Sequence, residues 1–172
     1  MSVQGIPGTN GSRATRLVVI SAILLAFAVA FQALGLPQAV TGPVVNAVLF
    51  LAAWTVGPVF GAAIGLLTPV VALWRGILAA PLAPMVPFIG LGNALVVLIF
   101  SYLKRVHPAA GIAVAAVVKW ALLSTAVRAF VTVPPPVAVA MQWPQLLTAL
   151  GGGILAWAVW RALPEPFRQG VA

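Results

Sequence analysis

Residues 17–34 read LVVISAILLAFAVAFQAL, and residues 91–103 read LGNALVVLIFSYL. Neither stretch carries a charge, and the apolar residues run all round the segment instead of along one stripe. In lipid every backbone group has to be satisfied internally, so only helices and closed barrels can span. Barrel strands alternate in polarity over about ten residues. These stretches do not alternate, so they read as membrane helices. The rest of the chain agrees: of its 172 residues 63% are hydrophobic and 6% charged. Soluble domains carry roughly 25% charged residues.

Working outward from those two runs, the punctuation defines six spans. They are about Leu17–Leu34, Pro43–Val56, Pro58–Trp74, Met85–Leu103, Ala109–Val131 and Trp143–Leu163. Pro43 suits a first helical position, and Gly57-Pro58 separates the second span from the third. Pro134-Pro135-Pro136 stops the fifth span, and Pro164 stops the sixth. The expected fold class is an all-α membrane protein, a six-transmembrane-helix bundle. Residues 1–12 are expected as a disordered tail, 13–164 as the transmembrane domain and 165–172 as a second tail. Arg13 and Arg16 before a long apolar run resemble a signal peptide, but the run is too long for one and is read as a retained span.

Cations in short loops concentrate on the cytoplasmic side. With the N-terminus inside, the cytoplasmic segments hold Arg13, Arg16, Lys104, Arg105, Arg161 and Arg168. Arg75 and Arg128 fall toward the outside. Both termini are therefore expected in the cytoplasm, in a multi-pass protein of a prokaryotic plasma membrane. The formal charge of +8 follows from this topology; no basic stripe with interleaved aromatics points to nucleic acid.

What the chain lacks narrows its chemistry. Glu165 is its one acid, His107 its one histidine, and cysteine is absent. An intramembrane acid is the usual handle for ion coupling, and paired acids serve hydrolysis and metal binding. No Gly-Lys-Ser/Thr phosphate loop is present, so any ATP is hydrolysed by another subunit. The expectation is a non-enzyme without cofactor or metal.

What the chain does have is cations with no acid to pair with. Lys119 lies mid-span, where an unpaired charge costs about 2.5–3.5 kcal/mol. Arg128 lies nine residues on and faces the other way on an ideal helix, with Ser124 and Thr125 on its own face. Ser124, Thr125 and Arg128 therefore form the favoured pocket cluster. Arg75 follows Trp74 at an interface, as a lipid anchor or a ligand contact. Asn46 and Asn93 are amides in apolar surroundings and face inward, as interhelical ties or as ligand groups. Trp143 offers a stacking face or a belt ring. Gln38, Thr41, Gln142 and Gln145 add polarity to the outer half. An anionic or carbonyl-bearing small molecule would satisfy the cations, and membrane lipid is the other partner.

Small residues four apart make smooth faces for close helix approach. Gly57, Gly61 and Gly65 read as packing inside the bundle. Ala22, Ala26 and Ala30 lie on the first helix, a peripheral position open to a partner helix.

The runs Thr41–Ala47, Val56-Gly57-Pro58 through Gly61, Gly65 and Thr68-Pro69, then Pro84–Phe88 and Leu91–Ala94, carry a resemblance. Their hydropathy and Gly/Pro/Asn placement resemble the substrate-binding S components of energy-coupling-factor vitamin transporters. The resemblance covers about Leu17–Leu103, and beyond that only size and span count. It implies six helices with both termini inside and a pocket open to the outside. It also implies a transmembrane coupling subunit and two cytosolic ATPases as partners. It places the docking surface on Ala22, Ala26 and Ala30. By position it places the pocket at Arg75, Asn93, Arg128 and Trp143, and it leaves the vitamin unassigned. A membrane scaffold without a small ligand is the competing reading. An enzyme acting on lipid phosphate is a third.

Overall fold

A computed structural model describes residues 9–165 and 168. All regular structure among those residues is helical: α1 Thr9–Gln32, α2 Gln38–Thr55, α3 Gly57–Trp74, α4 Val86–Leu103, α5 Pro108–Thr125, α6 Pro135–Ala140 and α7 Trp143–Ala162. A 3-10 turn, Ala80–Met85, leads into α4, and a π-helical turn, Ala126–Phe130, ends α5. Among the described residues, five segments are long and apolar enough to cross a membrane. These are Gly11–Gln32, Gln38–Thr55, Gly57–Trp74, Ala80–Leu103 and Pro108–Phe130. The sixth long helix, α7, is diluted by Pro144, Gln145 and the Gly151–Gly153 run.

Helix bounds follow local chemistry, with two departures from the expected spans. α2 starts at Gln38 behind Pro37, so Pro43 lies inside the helix and not at its start. α1 starts at Thr9, inside the segment expected as a tail. Residues 1–8 and most of 166–172 lie outside the described residues. Gly57 takes a φ of 80°, a left-handed conformation that glycine adopts without steric cost. That one residue turns α2 into α3.

Between helices in lipid, packing replaces the hydrophobic effect as the driving force. α2 packs on α7, α3 on α4 and α4 on α5. The centre is Leu49, Phe50, Val96, Val97 and Phe100 with Ala52, Ala53 and Ala115. Phe100 takes Phe50 edge-on at 4.9 Å and Trp54 at 4.6 Å, and Trp54 stacks on Trp160 at 5.4 Å. Each such ring pair adds about 0.5–1.5 kcal/mol beyond its buried area. At the same end, Lys104 caps α4 and donates to the Ala53 carbonyl in the last turn of α2. Burial, and then neighbouring Arg105, lower its pKa from 10.5 to about 8.

α1 stands apart. Ala28 is buried, but Ala22, Ala26 and Ala30 face away from the bundle and are exposed. Of the glycine stripe of α3, Gly61 and Gly65 pack inward, against Val97 and Ala52 and against Asn93 and Ala94, while a Cβ on Gly57 would meet nothing within 4 Å.

Candidate functional site

Three buried polar side chains from three helices meet in the half of the bundle away from Lys104. Lys119 of α5, Asn46 of α2 and Asn93 of α4 are each 2–3% exposed. The Lys119 ammonium donates to Asn46 Oδ1 and to Asn93 Oδ1, both at 2.8 Å. The amide nitrogens fix this orientation. Asn46 Nδ2 donates to the Gly42 carbonyl at 2.8 Å, and Asn93 Nδ2 to the Gly65 carbonyl at 3.3 Å. With each NH2 anchored on backbone, each carbonyl oxygen is turned toward Lys119.

Neighbouring glycines make that arrangement possible. A Cβ on Gly65 would sit 2.8 Å from the Asn93 and Ala94 backbone. A Cβ on Gly152 would sit 2.5 Å from Asn46 Cβ and 2.6 Å from the Pro43 carbonyl oxygen. Each asparagine is thus backed by a glycine of the adjacent helix, and any side chain there would push the amide away. The lysine stem runs past Gly92, whose Cβ would lie 3.2 Å from Lys119 Cγ.

An ammonium has three donors and no acceptor. Two of the three are used. The chain's one acid, Glu165, lies beyond α7 and pairs with Arg168 at 2.6 Å. Lys119 is therefore met by amide dipoles alone. Charge-assisted hydrogen bonds are roughly twice as strong as neutral ones, yet a buried charge without a counterion remains costly.

The three residues border a cavity of about 330 Å³. It lies under the α1–α2 and α3–α4 connections. Its polar lining comprises Gln32, Gln38, Thr41, Thr68 and Gln145 beside the Lys119 group. Its apolar wall is aliphatic, with Leu36, Val45, Ile77, Leu78, Leu82 and Ile89 among its residues. No aromatic ring is among the described lining residues.

The residues singled out by sequence therefore divide. Asn46, Asn93 and Lys119 come together. Arg75, Arg128 and Trp143 do not line this cavity. Arg75 is the exposed C-cap of α3. Arg128 is exposed on the π-helical turn and donates to Gln142 Oε1 at 2.6 Å. It borders a separate hollow of about 290 Å³ formed by residues 127–133. Trp143 is 61% exposed and stacks on Trp120 at 5.0 Å. The expected cluster of Ser124, Thr125 and Arg128 is split, since Ser124 is buried while the other two are exposed. Sequence reasoning missed Thr68 and Gln32. Their signal was a hydroxyl and an amide inside otherwise apolar runs. Comparison of the chain with protein-family models, with curated proteins and with solved structures finds no match.

Proposed function

We propose that the chain is the substrate-capture subunit of an energy-coupling-factor type importer. It takes a small, vitamin-like micronutrient from outside the cell into the cavity beside Lys119. A transmembrane coupling subunit and separate cytosolic ATPases then drive delivery. The observation that carries this reading is an uncompensated ammonium at the wall of a 330 Å³ cavity, a size within the range of about 300–1,000 Å³ typical of small-molecule sites.

Six spans with both termini in the cytoplasm fit this role, α7 serving as the sixth. Lys104, Arg105 and Arg161 then lie inside, as the positive-inside rule requires, and the cavity opens outward. The exposed Ala22, Ala26 and Ala30 face supports docking on the coupling subunit. The absence of a phosphate-binding loop or an intramembrane acid supports reliance on a separate motor.

Native mass spectrometry of the detergent-purified protein tests the reading. A small molecule is expected to accompany the wild type and to be lost from Lys119→Met. Release of no small molecule from any preparation would refute it. The outward face of α1 also favours a second reading, a scaffold that engages a partner helix without a ligand. That reading predicts a stable complex and an empty cavity.

A further inference from the structure

We propose that the cavity selects a compact aliphatic monocarboxylate, an inference that rests on the capture reading and names its substrate class. Three observations on the site converge. The cavity holds one cation, Lys119, and no acid, so one negative charge completes it and a second would be buried without a partner. Arg75 and Arg128, the other cations at this end, lie outside the lining and cannot serve a dianion. The third Lys119 donor is the one that Asn46 and Asn93 leave free. A carboxylate oxygen accepts it in a charge-assisted bond.

The remainder of the wall specifies the body of the ligand. Flat heteroaromatic ligands are commonly gripped by ring stacking, and no aromatic ring is among the described residues that line this cavity. Leu36, Ile77, Leu78 and Ile89 instead offer an aliphatic surface opposite the amide and hydroxyl groups. The volume of about 330 Å³ is at the small end for such sites. An acid head against Lys119 with a short saturated body satisfies charge, shape and polarity together.

The test uses the full chain in discs of zwitterionic phosphatidylcholine and three probes that differ only in the head group: hexanoate, hexanamide and hexylamine. Thermal shift and calorimetry read the binding. Hexanoate is expected to raise Tm saturably, with hexanamide weaker by about ten-fold or more and hexylamine without effect. Lys119→Met is expected to abolish the hexanoate response. Asn93→Asp supplies an internal carboxylate at the residue whose backbone bond is the longer of the two. It is expected to keep its helical circular dichroism and also to lose the response. Equal binding of acid and amide by the wild type, or an undiminished response in folded Asn93→Asp, overturns the inference. Suppression of the response by phosphatidylglycerol discs would assign the site to a lipid headgroup and overturn it as well. If hexanoate fails while native mass spectrometry still finds a Lys119-dependent ligand, this inference falls and the capture reading stands. If both fail, both fall.

Discussion

Gly152 and Gly151 are chemically identical neighbours with opposite importance. A Cβ on Gly152 would meet Asn46 Cβ and the Pro43 carbonyl below 3 Å, whereas on Gly151 it would lie 3.8 Å from Pro43. Gly152→Ala is therefore expected to destabilise the protein by about 1–3 kcal/mol, the usual cost of overpacking. Gly151→Ala is expected to leave it near wild type, and thermal melts in one detergent compare the two. Asn93→Leu is the complementary case. It leaves Lys119 one acceptor and the Gly65 carbonyl no side-chain donor, at a cost of at least about 1–3 kcal/mol. The same melts check it; a stable Asn93→Leu would mean that the ammonium finds another acceptor. Each member of this group was legible in the sequence as an amide or ammonium stranded in apolar surroundings. Their meeting was not, because the relative depth of α2, α4 and α5 depends on how closely the helices approach.

At the scale of elements, the long apolar runs announced the helices, and the breakers placed most of the boundaries. Pro43 misled because proline favours a first turn, and nothing local revealed that Pro37 already opens α2. Arg128 misled differently. Ideal helical geometry groups it with Ser124, but the π-helical turn changes the register beyond Thr125. The junction of α4 with α2 makes a pH prediction. The Lys104 pKa is lowered from 10.5 to about 8, by burial first and Arg105 second. Between those values the unfolded chain holds a proton that the folded chain has released, so stability rises with pH. Tm is expected to climb from pH 8 toward pH 10, and Lys104→Gln is expected to flatten part of that slope. A wild-type Tm falling across the same interval would contradict the burial of this ammonium.

For the molecule as a whole, the outward face of α1 separates stability from assembly. Ala26 is exposed on that face, so Ala26→Trp is expected to change stability by less than about 0.5 kcal/mol. Under the proposed function the same change blocks docking of a coupling subunit. Co-purification of the reconstituted complex reads that loss, and an intact complex would move the docking surface elsewhere. The glycine behind Asn46 has one more consequence, for biosynthesis. Asn46 is among the first buried polar groups to leave the ribosome, and its support, Gly152, is among the last. A nascent chain arrested before the final helix therefore lacks the surface that packs against the Asn46 stem, and the buried polar group is complete only after α7 has joined the bundle.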